Sequence, residues 1–345
     1  MLNKNGCYYV CIVQEGEDKM NWIKEFIAEQ KEGIKKAAGD SKVAVGLSGG
    51  VDSSVVAMLA HRVLPPDQVL YLTIDDGFRR KDEPQWVWET FKRLDIPVEV
   101  VSITEKLRGR QGQMDPWRGP YYSLRQAKNA EKKRIWFRRF FYEVLAFEAK
   151  KQGAIVVIQG TNKADVSETV NGIKIQHNVL GQIGIDPFET YGIKIYEPIA
   201  ELYKDQSREV ARALDLPEKI CGRIPFPGPG LSIRVYEEPS ESKIALIREV
   251  TAILERLLLP FNPFQVLAYL GPKATGVSTK GERVYGYTIY IRVVNSTDAI
   301  TATPLRISSD IEDKVVTHIT NTFPDEVSHV LFDRTPKPPG TIEFE

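Results

Sequence analysis

Between the apolar run Val43-Ala44-Val45-Gly46-Leu47 and an apolar helical stretch lies Ser48-Gly49-Gly50-Val51-Asp52-Ser53-Ser54. This junction limits the folds open to the chain. A short buried-type run followed by two glycines and hydroxyls reads as a strand that turns at once into a helix. Glycine admits the dihedrals that turn successive amide N–H groups inward, so the turn can form a cup for an anion. The helix from Asp52 onward adds the positive end of its dipole, with Asp52 and Ser53 in the capping region. No lysine of the Walker type stands in the motif. The cup therefore suits a pyrophosphate that leaves as a unit rather than a phosphoryl group in transfer.

From Val43 to about residue 200 strand and helix patterns alternate. Strands are expected at 43–47, 69–74, 97–102 and 154–158, and helices at 52–63, 84–94 and 201–214, with a long basic helical region before the fourth strand. Strands separated by helical periods imply parallel βαβ units, hence an α/β fold with a doubly wound parallel sheet covered on both faces. Ligands of such sheets bind beyond the carboxyl ends of the strands. Three segments fall there: SGGVDSS, the run Ile74-Asp75-Asp76-Gly77-Phe78-Arg79-Arg80, and Gln159-Gly160-Thr161.

Residues 1–19 read as an extension, weakly ordered or adding an edge strand, with Cys7 and Cys11 as buried strand residues; Met20 then opens a helical pattern. The cluster Pro225-Phe226-Pro227-Gly228-Pro229-Gly230 reads as a rigid linker. It sets boundaries at 1–19, 20–224 and 225–345. After it come a strand, a helix at about 240–258, a strand, a strand at 284–294, a helix at 308–321 and a strand at 327–333. This order describes a smaller α+β domain that ends in the turn Lys337-Pro338-Pro339-Gly340.

Basic and acidic residues balance at 46 each, which gives no global support for binding nucleic acid or an anionic membrane surface. No apolar stretch reaches bilayer-spanning length and no signal-peptide pattern opens the chain, so a cytoplasmic location is expected. Three cysteines, Cys7, Cys11 and Cys221, make neither a disulfide framework nor a paired metal site, and four histidines exclude a histidine-rich one. A metal, if used, should be Mg2+ riding on the phosphates of the ligand and held by carboxylates.

The motif SGGVDSS resembles that of the PP-loop ATP pyrophosphatases, which cut ATP between the α and β phosphates. Further motifs narrow the likeness: Asp75, Gly77 and Arg80 in IDDGFRR; QGT at 159–161; ADVSET with IKIQHNV; Lys204-Asp205 in ELYKDQSR; PFPGPGL at 225–231; and the terminal KPPGTIEFE. Together they make the chain, from about Met20 to Glu345, similar to the synthetase part of GMP synthase. That resemblance implies a PP-loop (adenine nucleotide alpha hydrolase-like) domain followed by an α+β dimerisation domain. It also implies a C–N ligase that converts XMP to GMP with ATP and ammonia through an adenyl-XMP intermediate, as a homodimer. Nothing resembling a nucleophile-elbow cysteine precedes residue 48, so ammonia is expected from a separate glutamine amidotransferase subunit or from solution.

The resemblance also assigns residues. ATP falls to Ser48, Gly49, Gly50, Val51, Asp52, Ser53, Ser54, Asp75, Arg80, Gln159, Gly160 and Thr161. The polar segment at about 162–186 is expected to be a lid loop carrying Asp165, Glu168, Lys174 and His177, which with Lys204 form the catalytic set. Asp52 and Asp165 are the candidate metal carboxylates, Asp52 being equally readable as a loop-fixing residue. The acceptor XMP falls to Arg223, Gly228, Pro229, Gly230, Arg234 and Arg292, with Lys337, Ile342 and Glu343 of the tail.

The chain departs from the family pattern near the acceptor side. WRGPYYSLRQAKNA separates Asp115-Pro116 from the basic run Glu131-Lys132-Lys133-Arg134, Trp136-Phe137 replaces a glycine, and Asp76, Gln176 and Ile224 replace family residues. Trp117, Tyr121 and Tyr122 offer rings that could stack on another acceptor. A paralogue adenylating a different acceptor is therefore the second reading. A third is PP-loop tRNA thiolation, carried by Arg125, Lys128, Lys132, Lys133, Arg134, Arg138 and Arg139 among aromatics, although a helix with one solvated basic face explains these residues as well.

Overall fold

The computed structural model describes residues 5–103, 127–170, 178–278, 280–297 and 300–344, without side-chain detail before residue 21 or at Glu168. The chain opens on α1 (Asn5–Ala38), which runs into β1 (Lys42–Gly46), α2 (Val51–His61), β2 (Val69–Asp75), α3 (Glu83–Lys92) and β3 (Val98–Ser102). Next come α4 (Ala130–Lys151), β4 (Ala154–Ile158), α5 (Lys163–Val170), β5 (Lys194–Tyr196) and α6 (Lys204–Ala213). The remainder is α7 (Glu241–Leu258), β6 (Gln265–Val277), β7 (Arg283–Asn295), β8 (Thr303–Pro304), α8 (Ser309–Thr322) and β9 (Val327–Phe332).

The chain forms two compact units that do not follow it as consecutive blocks. Residues up to Ile74, with Val87–Glu99 and Tyr142–Arg223, form one unit; Asp75–Trp86, Ile224–Glu345 and the described part of Val100–Phe141 form the other.

The first sheet has the order β3-β2-β1-β4-β5. β1 pairs parallel with both β2 and β4, and β4 parallel with β5. Val43, Ala44, Val45 and Leu47 are essentially without solvent exposure, as are Ala154, Val157 and Ile158. That is the pattern of a parallel sheet buried on both faces. The expected doubly wound α/β architecture is therefore present. Chain order reverses direction between β1 and β4, so the loops after these two strands flank a topological switch point.

The second sheet is built on β7, which pairs antiparallel with β6 along most of its length, with a register shift between Leu270 and Lys273, antiparallel with β8 and parallel with β9. Val266, Ala268 and Leu270 of β6 and Ile289, Ile291 and Val293 of β7 point into a core shared with Ile244, Ile247, Val250 and Leu254 of α7 and Val315 and Ile319 of α8. Alternation at period two sends the intervening residues to the opposite face.

Several expectations are corrected. The segment read as an extension or edge strand is helical from Asn5, continuous with the helix expected from Met20, so Cys7 and Cys11 lie on a helix. The helix after SGGVDSS is N-capped by Gly50 with no side-chain cap, so Asp52 and Ser53 sit within its first turn. The proline and glycine cluster is no linker: Pro229 and Gly230 are buried, and a 3-10 turn, Gly230–Arg234, replaces the strand expected after it. Gly230 has φ +61, and a Cβ there would lie 2.2 Å from the Phe78 carbonyl oxygen. Only glycine fits a left-handed turn pressed against another backbone. β5 was absent from the expected strands; at three residues it is too short to show a period.

Candidate active site

The loop after β1 is held by its own hydroxyls. Ser53 Oγ accepts from the Ser48 amide at 3.2 Å and Ser54 Oγ donates to the Gly50 carbonyl at 2.7 Å. Gly49, at φ +74, makes the turn. The first intrahelical bond is Ser54 N to Gly50 O, 3.0 Å, so the amides of Val51, Asp52 and Ser53 precede it without intrahelical acceptors, as at any helix start. Arg223 donates to the Gly49 carbonyl at 3.0 Å. The loop after β4 closes the other side: a Cβ on Gly160 would lie 2.8 Å from Asp52 C and Ser53 N. The two loops at the switch point thus meet backbone to backbone.

Beside this junction lies a charged cluster. Lys204, the first residue of α6, donates to Asp52 Oδ2, which also accepts from Asn162 Nδ2 at 3.1 Å. Asn162 Oδ1 accepts from the Asp165 amide at 3.0 Å, and Asp165 Oδ2 accepts from Asn178 Nδ2 at 2.8 Å. Burial, followed by the neighbouring Asp52 charge, pushes the Asp165 carboxyl up to about 6, against the pull of Asn178 and Lys204. Asp52 Oδ1 and Asn178 Oδ1 are buried with no hydrogen-bond partner. Such oxygens are what a hard divalent cation requires. Among the described residues no group of three or more His, Cys, Asp or Glu side chains could hold a metal. The donors present therefore fit Mg2+ shared with phosphate oxygens rather than an all-protein cage.

Gln159 and Thr161 face inward. Gln159 Oε1 accepts from Tyr142 Oη, and its Nε2 donates to Thr161 Oγ1 at 2.7 Å and to the Asn178 carbonyl at 2.6 Å. Thr161 Oγ1 donates to Glu197 Oε1 at 2.6 Å, and Gln182 donates to the other oxygen of Glu197 at 2.8 Å. Sequence reasoning missed Asn162, Asn178, Tyr142 and Glu197. Glu197 directly follows β5, a strand-end position that the unseen strand concealed.

The segment 162–186 is not a loop throughout. It begins as α5, and Asn178, Val179 and Leu180 are buried. Lys174, Gln176 and His177 lie outside the described residues, as do Trp117, Tyr121, Tyr122 and Arg125, and the Glu168 side chain is not described.

In the second unit the strand-end run and the proline cluster are bound together. Asp75 Oδ1 accepts from the Gly77 amide at 3.1 Å, and Asp76, fully buried, accepts from the Phe78 amide at 2.8 Å and from Arg79 at 3.0 Å. Burial raises the Asp76 carboxyl. Arg80 is nearly buried between Glu83 and Glu255, with its guanidinium 4.1 Å from the Phe226 ring centroid and one nitrogen donating to the Ile224 carbonyl. Leu231 N donates to Phe78 O at 2.8 Å.

Among the acceptor candidates, Arg234 is paired with Glu343 at 2.8 Å and Arg292 with Asp333; Arg292 also donates to Thr335 O at 2.7 Å. Lys337 forms an antiparallel bridge with Ala302 through its backbone, and Ile342 is half-buried. The basic run of α4 is only partly a solvated face: Lys132 and Arg139 are exposed, but Lys133 is fully buried and donates to Val235 O at 2.6 Å, and Arg134 is nearly buried.

A family model described as "NAD synthase" matches residues 20–228, and one described as "GMP synthase C terminal domain" matches residues 261–344. The chain is 39% identical over 334 residues to a relative from Pyrococcus furiosus named as one subunit of the glutamine-hydrolyzing GMP synthase, covering 94% of this chain and 99% of that one. The chain belongs to the family of GMP synthase ATP pyrophosphatase subunits. The relative of the same name in Methanocella arvoryzae is 41% identical over 322 residues, covering 93% of this chain and 98% of its own. A solved structure titled as NMN synthetase from Francisella tularensis aligns at TM-score 0.44 and 21% identity, over 60% of this chain and 77% of that one. The stretches matched by the two family models take in both the switch-point loops and the tail of this GMP synthase family member.

Proposed function

We propose that the chain is the synthetase subunit of a two-subunit GMP synthase, a C–N ligase that aminates XMP to GMP with ATP. The carrying observation is the match to GMP synthase relatives over nearly the whole of both chains, together with an anion cup that has a lysine and two carboxylates beside it. The C2 oxygen of XMP attacks the α-phosphorus of ATP and the bond to pyrophosphate breaks. Ammonia then adds at C2, the C2–O bond breaks, and AMP leaves while the nitrogen loses its proton.

Negative charge accumulates on the departing pyrophosphate, so preorganised donors there lower the barrier most. Ser48 to Ser54 offer hydroxyls and first-turn amides for it. Lys204, drawn from Asp52, offers a cation. Asp52 and Asp165 would hold Mg2+ with Asn178 Oδ1 alongside, and the ion supplies charge neutralisation on the phosphate oxygens. Gln159 and Thr161 hold the second loop in place, and Gly160 lets it approach. Asp75 and Arg80 shape the strand end for ATP, while Arg223, Gly228, Pro229, Gly230, Arg234, Arg292, Lys337, Ile342 and Glu343 serve XMP. Glu168, Lys174 and His177 complete the catalytic set.

The relatives are named as one subunit of a glutamine-hydrolyzing enzyme, which supports a separate glutamine amidotransferase as the ammonia source. Homodimerisation through residues 225–345 and a cytoplasmic location complete the reading; no helix among the described residues is long and apolar enough to cross a membrane.

The two other readings lose support where their residues are described. Asp76 is engaged by its own turn, and Ile224 offers its carbonyl to Arg80. Trp136 stacks on Phe140 at 4.7 Å and Phe137 is core. These departures pack the scaffold. In the thiolation reading's basic set Lys133 and Arg134 are buried, which leaves Lys128, Lys132 and Arg139 as its exposed cations.

The test is pyrophosphate release with ATP, Mg2+ and ammonium, with and without XMP, and mass spectrometry for GMP. XMP-dependent release with GMP is expected. Release indifferent to XMP, or no GMP, overturns the reading.

A further inference from the structure

The face of the β6–β7 ladder opposite the apolar core carries an unusual set of side chains. Tyr269 pairs with Tyr290 and Leu267 with Arg292, so Gln265, Tyr269, Tyr290 and Arg292 share that face. Gln265 and Tyr269 are buried nonetheless. The tail lies against them. The Phe344 ring sits 5.2 Å from that of Tyr269 and 5.7 Å from that of Tyr290, centroid to centroid. One residue earlier, the Glu343 carboxylate takes two parallel bonds from Arg234, Nε at 3.0 Å and one terminal nitrogen at 2.8 Å, and a third from Gln265 Nε2 at 2.7 Å.

This geometry fixes Arg234. Its side chain is 1% exposed, and a fork-on-carboxylate pair locks the guanidinium plane. The remaining nitrogen, Nη1, is buried without a hydrogen-bond partner. A buried N–H left unpaired costs stability unless something else uses it. We infer that the Glu343-Phe344 strap, seated by Tyr269, Tyr290 and Gln265, is a positioning device that holds Arg234 with one donor in reserve for an anionic oxygen of the acceptor nucleotide. Phe344 and Gln265 thereby become positioning residues that act through Glu343 and Arg234. The inference rests on the reading of Arg234 as an XMP residue.

The aromatic seat gives the ring at residue 344 a structural role. The tilted aromatic neighbours add to the seat beyond the area they bury, and without them the Glu343 carboxylate is left to polar partners, Arg234 and Gln265 among them. A guanidinium freed to rotate loses its preorganisation, and the loss falls on binding of the group it was to meet.

The test is steady-state amination by the full chain carrying F344A, F344W, Q265L or no change, with XMP and ATP varied separately and Tm recorded. F344A and Q265L should each raise KM for XMP about tenfold while KM for ATP, kcat and Tm stay near wild type, and F344W should restore KM. Wild-type KM for XMP in both F344A and Q265L, or an equal shift for ATP and XMP with a fall in Tm, overturns the strap while XMP amination by the wild type stands. If the wild type neither aminates XMP nor binds it calorimetrically, the functional reading falls and the strap's role with it.

Discussion

Gly160 stands so close to Asp52 that a Cβ on it would lie 2.8 Å from the Asp52 carbonyl carbon and 3.0 Å from its oxygen. The obstructing atoms belong to the first turn of α2 and cannot swing aside as a side chain can. G160A should therefore cost about 1–3 kcal/mol of stability and depress pyrophosphate release, because the cup must deform to admit the methyl. Gly181, where a Cβ would meet nothing within 4 Å, is the control. Calorimetric melting of G160A and G181A beside the wild type checks both.

K204M removes the ammonium paired with Asp52. Pyrophosphate release should fall about 100-fold or more, the scale on which a preorganised charge at a developing anion acts. The Lys204 charge also lowers the Asp165 carboxyl, so in K204M that carboxyl should titrate still higher than in the wild type. Carboxylate NMR titration reads this second effect independently of turnover.

The pH dependence of stability follows from Asp165. Its folded value of about 6 lies above the ordinary 3.8, so between these values the folded chain retains a proton that the unfolded chain has lost. The Asp165 contribution therefore favours folding at the acid end and diminishes as pH rises from about 4 to about 6. D165N should flatten that part of the melting profile. Added Mg2+ with ATP should weaken the slope in the wild type and leave D165N unchanged.

Removing the Glu197 carboxylate strips Thr161, Gln159 and Gln182 of a shared acceptor. E197A should lose about 1–3 kcal/mol of stability and raise KM for ATP, because the loop after β4 loses its anchor. Denaturant melts and ATP kinetics decide this.

The cup and the individual strands were legible because both depend on neighbours in sequence, Val43 to Ser54 containing strand, turn and helix start together, and the parallel pairing followed from the alternation of strands with helices. The opposing loop at Gly160 was legible too, as a strand end. What escaped was long-range satisfaction. Lys133 carries a charge that local pattern sends to solvent, yet Val235 O, far along the chain, takes it inside. The PFPGPGL run has the composition of a linker, but its partners, Phe78 O and Arg80, come from a segment far upstream. Glu197 went unnoticed because β5, the strand it follows, is too brief to announce itself.

The Lys204–Asp52 pair has a consequence for selectivity. Before any ligand arrives the two charges serve as each other's counter-ion. A bare anion that approaches Lys204 meets the Asp52 carboxylate as well, and a lone cation meets the ammonium. A visitor that carries both signs at fixed spacing, as a triphosphate chelate with its divalent ion does, answers both partners at once. On the proposed function, the resting pair favours that visitor over the stray phosphate that an open ring of amides would welcome.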